Sequence, residues 1–378
     1  MRFQLSRKRR EGTQPVHGLT PTTPAAAQAR DYPLNAWYAA AYDIELKGEL
    51  LARTICDQDL VMYRRSDGEP AVLADSCWHR MLPLSKGRLV GDDVMCGYHG
   101  LRFNSDGRCT FMPSQETINT AACDRSYPAV QKHRFVWVWM GDPALADPET
   151  IPDLHWNDDP HWTGDGEVIH ARCNYKLVLD NLMDLTHETF VHGSSIGQDA
   201  VAEAPFMTFH GNQRVEVERW MTDLDEAPPF WRQQMIWKFG KSARVDRWQI
   251  IRFEAPSTIA IDVGVATAGS GARTGDRSQG VNGYVLNTIT PERDGSCWYF
   301  WAFCRNYALG DQAITQRLKA GVRGVFGEDE QILEAQQAAL ERHPGRDFYN
   351  LNIDAGGVWA RKLIDRMTAA EQDRAAVA

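Results

Sequence analysis

The chain has 378 residues, of which 43% are hydrophobic, and this is enough apolar surface for two cores. Its 41 Lys and Arg against 50 Asp and Glu give a formal net charge of -9, which argues against nucleic-acid binding and against general attraction of an anionic substrate. Eight cysteines without disulfide-framework spacing predict a reducing cytoplasm, and no apolar run approaches the length that crosses a bilayer.

Residues 1–30 are basic and rich in Thr, Pro and Ala, and no apolar core of signal-peptide length follows the basic run at 7–10. We therefore expect a flexible N-terminal extension. An address segment or a tethering arm is the alternative.

The next part of the chain contains short apolar runs separated by Gly, Asp and Pro turns, which predicts a small all-β domain. The clearest runs lie at 60–63, 71–74 and 135–140. A turn-rich stretch at 141–148 predicts a domain boundary. We therefore expect one domain at 31–145 and a second at 146–378.

A first metal-ligand motif lies between these predicted strands and consists of two short loops, each with one cysteine and one histidine: Cys77, His79, Cys96 and His99. Two thiolates and two imidazoles suit a [2Fe-2S] cluster, because neutral ligands on one iron raise the reduction potential. A structural zinc site is the alternative. Zinc fingers commonly pair Cys with Cys and His with His, so the mixed loops favour the cluster. Gly97 and Gly100 would let the second loop turn tightly with its amides near the cluster sulfurs.

A second motif places Asn181, Asp184 and His187 three residues apart, so a helix would put them on one face, with His192 off it. We expect that helix to end or distort near 193–195, letting His192 turn back toward a metal. Two histidines and one carboxylate would form a facial triad for Fe(II), with open positions for dioxygen and water. The alternative is a pair of hydrogen-bonded interior imidazoles.

The second half of the chain predicts a sheet followed by helices. The expected strands are 213–220, 247–253, 259–265, 283–289 and 298–306, with a loop at 269–280, and the expected helices are 312–325, 329–342 and 357–367. The carboxylate of the triad must come from elsewhere in the chain, and the acidic segment Glu328, Asp329 and Glu330 opens one of these helices. Spacing alone does not choose among the three acids, which could also simply complement a helix dipole.

Together the two motifs resemble the oxygenase components of the Rieske non-haem iron oxygenases. The cysteine and histidine loops look like a Rieske domain, and its place before Asn181 to His192 is similar to the family's order. From about Tyr32 to Gln372 the chain resembles the vanillate O-demethylase group, with supporting stretches at 227–232, 245–249, 298–301 and 351–357. Trp78 is a departure, because relatives usually have proline between the first two ligands.

The resemblance implies an α+β fold, with an N-terminal all-β Rieske domain followed by a helix-grip (START-like) catalytic domain that has an antiparallel sheet and long C-terminal helices. It also implies Asp329 as the third iron ligand. Asn181 and Asp184 are candidate catalytic residues, and Asp184 would connect His99 of a neighbouring subunit to His187 in a head-to-tail homotrimer. The alternative for Asp184 is a surface acid or an orienting partner of His187.

The implied reaction uses NADH through a separate flavin and iron-sulfur reductase, and O2, to demethylate a methoxylated aromatic acid such as vanillate, giving protocatechuate and formaldehyde. The alternative is another methoxyaromatic, or the methyl group of an aromatic sulfonate. Arg247 and Asn287 are candidate substrate-binding residues, although an interior salt bridge is the alternative for Arg247. A Rieske electron carrier and a helix-grip binder of hydrophobic ligands are the rival classes, and iron content separates them: about three Fe per chain for the oxygenase, two for the carrier and none for the binder.

Overall fold

Short antiparallel strands make up the N-terminal part of the computed structural model, which describes residues 30–241 and 243–377. The predicted extension at 1–30 lies outside these residues, apart from Arg30. The strands are β1 Trp37–Tyr42, β2 Leu51–Ile55, β3 Gln58–Arg64, β4 Pro70–Ala74, β5 Arg88–Val90, β6 Asp93–Met95, β7 Arg102–Phe103, β8 Cys109–Phe111, β9 Ser126–Tyr127, β10 Ala129–Lys132 and β11 Phe135–Trp139. They form sheets with the orders β1-β11-β10, β2-β3-β4-β9 and β5-β6-β7-β8.

One antiparallel sheet and six helices make up the second part of the described chain. The strands are β12 Thr163–Ala171, β13 Phe206–His210, β14 Arg214–Leu224, β15 Val245–Glu254, β16 Thr258–Thr267, β17 Gly280–Arg293 and β18 Ser296–Arg305. Their order is β12-β18-β17-β16-β15-β14-β13. The helices are α1 Tyr175–Met183, α2 Glu188–Val191, α3 Asp199–Glu203, α4 Pro229–Phe239, α5 Gln312–Arg342 and α6 Ala355–Val377.

The predicted α+β architecture, with β strands first, then an antiparallel sheet and long C-terminal helices, is confirmed. The helices predicted at 312–325 and 329–342 are one helix, because buried side chains continue through the junction at helical spacing from Val322 to Phe326, Asp329 and Leu333. The sequence patterns missed β12, where glycines and acids interrupt the apolar alternation, and α4, which begins after two prolines. The described residues from Asp31 onward form one compact unit, so the boundary between 145 and 146 stays a prediction.

Apolar side chains of the sheet and helices pack into a continuous core, in which Met183 of α1, Ile251 of β15 and Phe326 of α5 are buried. This packing brings α1 and α5 together although they are far apart in the chain. Among the described helices, none combines the length and the apolar character needed to cross a bilayer.

Candidate metal centres and substrate cavity

The two loops of the first motif have the same backbone hydrogen bonds. In each loop the cysteine N–H donates to the carbonyl five residues later, and the amide four residues later donates to the cysteine carbonyl. The bonds are Cys77 N to Leu82 O at 2.9 Å, Met81 N to Cys77 O at 2.8 Å, Cys96 N to Leu101 O at 2.8 Å and Gly100 N to Cys96 O at 3.1 Å. The same backbone turn therefore presents a cysteine and a histidine in each loop, with one residue between them in the first loop and two in the second.

Glycine is required in the second loop for two separate reasons. Gly100 has φ +73°, a left-handed conformation that a side chain disfavours. A Cβ on Gly97 would lie 2.6 Å from the carbonyl oxygen of Lys86. The structure therefore agrees with the tight turn expected at these glycines.

The cysteines of the first motif point inward and the histidines outward. Cys77 and Cys96 are buried, while His79 and His99 are exposed and their ring centroids lie 4.6 Å apart. Burial raises the pKa of the Cys77 thiol to about 11, although the amides of His79 and Arg80 donate toward its sulfur and lower it in part. A thiolate here therefore depends on a bound metal. Buried thiolates beside exposed imidazoles suit a two-iron cluster that exchanges electrons through its histidine side.

The second centre consists of His187, His192 and Asp329, whose ligand atoms all lie within 4.8 Å of one another. Asp329 Oδ1 is 3.4 Å from His187 Nε2 and 3.2 Å from His192 Nε2. Burial raises the pKa of Asp329, but the two adjacent histidines lower it more, to about 2. Within the described residues, His192 Nε2 is buried without a hydrogen-bond partner, as expected for an atom that faces a metal. Two imidazoles and one ionised carboxylate fit Fe(II).

Each histidine of this centre is held through its other ring nitrogen. His187 Nδ1 lies 2.7 Å from the backbone oxygen of Asp184, and His192 Nδ1 lies 2.6 Å from Glu328 Oε2. Because Nδ1 is engaged in both rings, Nε2 of each ring is left for the metal.

The three neighbouring acids of α5 have different partners. Asp329 lies between the histidines and accepts a hydrogen bond from Asn181 Nδ2 at 3.1 Å. Glu330 instead pairs with Arg323 at 3.1 Å, and Glu328 binds the outer side of His192. Asn181 Nδ2 also lies 3.4 Å from His187 Nε2, so this amide contacts two members of the centre.

The expectation that Asn181, Asp184 and His187 share one helix face is wrong. Helix α1 ends at Met183, and Asp184 is extended, with φ -129° and ψ 108°. Its carboxylate accepts from Thr186 N at 3.0 Å and from the Thr186 hydroxyl, and thus caps the short 3-10 turn Leu185–His187. Toward His187 of the same chain, Asp184 therefore presents its carbonyl oxygen. The predicted bridge to a neighbouring subunit stays a prediction.

A cavity extends from the second centre between α1, α4, α5 and the sheet. Its walls are mainly apolar, with the lining side chains Ile261, Val263, Val285, Phe303 and Phe326. One wall is polar: Arg247 Nη2 donates to Glu188 Oε2 at 2.7 Å, and Gln249 Nε2 donates to the same oxygen at 2.9 Å. In the described part of the chain, Arg247 Nη1 and Gln249 Oε1 are buried without partners. This wall therefore offers one donor and one acceptor to a bound molecule.

Of the two candidate substrate residues, Arg247 lines the cavity and Asn287 does not. The Asn287 amide is fully buried, donates to Ile259 O at 3.1 Å and accepts from the Tyr299 hydroxyl at 2.8 Å, so the sheet uses its polar atoms. Sequence reasoning missed Gln249. Its position two residues after Arg247 on a predicted strand puts it on the same face and could have identified it.

We expect Glu328→Gln to weaken iron binding at the second centre by about 10- to 100-fold, because the charged partner of His192 Nδ1 is lost while the three ligands stay. Iron titration of the metal-free protein measures this change. Glu330→Gln is the matched control, since it removes an adjacent acid that pairs with Arg323. Equal iron affinity in the two variants would contradict the assignment of Glu328.

Two family models match the chain. The Rieske [2Fe-2S] domain matches residues 36–122, and the vanillate O-demethylase oxygenase C-terminal domain matches residues 171–370. The vanillate O-demethylase oxygenase subunit of Pseudomonas sp. (strain HR199 / DSM 7063) is 43% identical over 345 residues, which cover 91% of this chain and 97% of that protein. The toluene-4-sulfonate monooxygenase system iron-sulfur subunit of Comamonas testosteroni is 37% identical, over 89% of this chain and 97% of that protein.

A solved structure also matches nearly the whole chain. The crystal structure of dicamba monooxygenase with non-haem iron and dicamba matches with a TM-score of 0.77 and 31% identity, over 92% of this chain and 100% of that chain. Both the sequence and the fold of this chain are therefore similar to those of oxygenases, one of which was crystallised with non-haem iron.

Proposed function

Because this chain belongs to the Rieske non-haem iron oxygenases, and among them to the vanillate O-demethylase oxygenase family, we propose that it demethylates a methoxylated aromatic acid such as vanillate. The enzyme is a monooxygenase. It uses a Rieske [2Fe-2S] cluster and a mononuclear iron. The candidate ligands described above would hold these groups. When bound, these groups supply single electrons and activate dioxygen.

The reaction inserts one oxygen atom into a C–H bond of the methoxy group, and the resulting hemiacetal gives a phenol and formaldehyde. The second oxygen atom leaves as water, with two electrons from NADH and two protons. Vanillate would give protocatechuate. The residues of the chain bind the aromatic ring between apolar walls and hold its methoxy group toward His187, His192 and Asp329.

The polar wall of the cavity is the observation that favours an acidic substrate. Arg247 Nη1 can donate to a carboxylate, and the Gln249 orientation is set because its NH2 group must face the acceptor Glu188. Gln249 Oε1 can then accept from a substrate hydroxyl. Vanillate carries both a carboxylate and a hydroxyl, so it matches the donor and the acceptor.

As an oxygenase component, the protein needs a reductase, and we propose one with flavin and iron-sulfur centres, acting in the cytoplasm. We also propose the head-to-tail homotrimer in which His99 of one subunit approaches Asp184 of the next. Exposed apolar side chains near both centres support the proposal that another subunit covers this surface. Trp78 is 43%, Met81 77%, Tyr98 64% and Phe190 78% exposed. A trimer of this kind would bury them.

We expect the iron-loaded protein, with a vanillate-type reductase and NADH, to form one formaldehyde per vanillate, NADH and O2 consumed. Guaiacol, which lacks the carboxylate of vanillate, is the matched substrate and should react much more slowly, because Arg247 Nη1 stays unpaired. Formaldehyde, NADH and O2 are measured in the same sample. Hydroxylation of toluene-4-sulfonate without demethylation of vanillate would favour the aromatic sulfonate reaction instead.

A further inference from the structure

The first ligand loop of the Rieske centre directs its backbone amides to two different acceptors. The N–H groups of His79 and Arg80 donate toward Cys77 Sγ. The N–H group of Trp78 donates instead to Asp124 Oδ2, at 3.3 Å. A carboxylate outside the ligand set therefore takes the first amide of the loop, and the next two amides are turned to the cysteine sulfur.

Asp124 is itself fixed to the other side of the centre. Its backbone N–H donates to Gly107 O at 2.9 Å, and the preceding residue, Cys123, pairs with Arg108. These contacts attach Asp124 to the turn between β7 and β8, directly after the second ligand loop. Asp124 therefore contacts the first ligand loop through its side chain and the turn that follows the second ligand loop through its backbone.

The carboxylate of Asp124 is half-buried, and no cation of the described residues pairs with it. Burial raises the pKa of Asp124 to about 6, although the Trp78 amide lowers it in part, so the group is ionised at pH 8. Reduction adds one electron to the Rieske centre. An uncompensated negative charge at the ligand loop disfavours that added electron.

We propose that Asp124 is a positioning residue of the Rieske centre, which holds the first ligand loop through the Trp78 amide and lowers the reduction potential through its charge. This role concerns the redox centre itself and does not depend on which substrate the enzyme demethylates. The contact requires a residue other than proline at position 78, because proline has no amide hydrogen to donate to Asp124.

The test compares Asp124→Asn with Asp124→Ala in the purified full chain with its cluster, at pH 8. Asparagine can still accept from Trp78 but carries no charge, so we expect a higher midpoint potential with unchanged cluster content and EPR g values. Alanine also removes the acceptor, so we expect a higher potential and about tenfold faster loss of the cluster to a chelator. Asp92→Asn, which changes a carboxylate held by Ser66 N at 2.7 Å in the same part of the chain, is the control and should leave both quantities unchanged.

A second comparison, made with proline at position 78, tells whether Asp124 acts by positioning the first ligand loop or only by stabilising the protein in general. In Trp78→Pro the amide hydrogen is absent, so adding Asp124→Ala should not further accelerate cluster loss. The proposal is overturned if Asp124→Asn has the wild-type potential, or if Asp124→Ala accelerates cluster loss equally with tryptophan and with proline at position 78.

Discussion

Asp329→Asn is expected to remove the mononuclear iron and to leave the Rieske centre in place. Asp329 is the one anionic member of the described His187, His192 and Asp329 group, and a neutral amide is a poor substitute for a carboxylate ligand to Fe(II). We expect iron to fall from about three to about two per chain. The rate of demethylation should fall by more than about 100-fold. This is a larger effect than the loss of a residue that only hydrogen-bonds to a metal ligand.

Iron and acid-labile sulfide, measured together with the visible spectrum of the cluster, test this expectation. The asparagine keeps an oxygen that can accept from Asn181, so the variant should fold. His192→Ala is the second variant and should also give about two iron atoms per chain. Retention of the third iron in Asp329→Asn would show that a different acid completes the site.

The double change Arg247→Met and Glu188→Gln is expected to abolish the preference for an acidic substrate. Removing Arg247 alone would leave the charge of Glu188 buried and unpaired, which costs about 3–5 kcal/mol of stability. Removing both charges avoids that cost and isolates the loss of the Arg247 donor. We expect KM for vanillate to rise about 100-fold, as for loss of a buried charged partner, while guaiacol should react as it does with the wild-type enzyme.

Measured kcat and KM for both substrates give the result. The matched control is Arg252→Met with Glu216→Gln, because this pair also joins β15 to a neighbouring element, at 2.9 Å, but is partly exposed and does not line the cavity. If the double variant still prefers vanillate over guaiacol as strongly as the wild type, Arg247 and Glu188 form only an interior salt bridge.

The sequence by itself identified the candidate ligands that lie close together in the chain. In the first motif, one or two residues separate each cysteine from its histidine, so loop geometry alone keeps the pair together. His187 and His192 are likewise separated by only a short helix, α2. Strand-like apolar runs also predicted most strands of the described sheet, from β14 to β18. Glycines and acids hid β12, since they remove the apolar alternation that marks a strand.

Only the tertiary structure singled out Asp329 as the candidate third ligand, because the choice depends on how two distant helices pack. Consecutive residues of a helix point about 100° apart, so Glu328, Asp329 and Glu330 face three different directions. The packing of α5 against α1 turns Asp329 toward the histidines and leaves the other two acids to His192 Nδ1 and Arg323. The same reason explains Asn287, whose strand was predicted but whose neighbours in the sheet use its amide. The residue types in the two motifs therefore indicated iron chemistry, and the packing of distant elements decided which acid lies beside the two histidines.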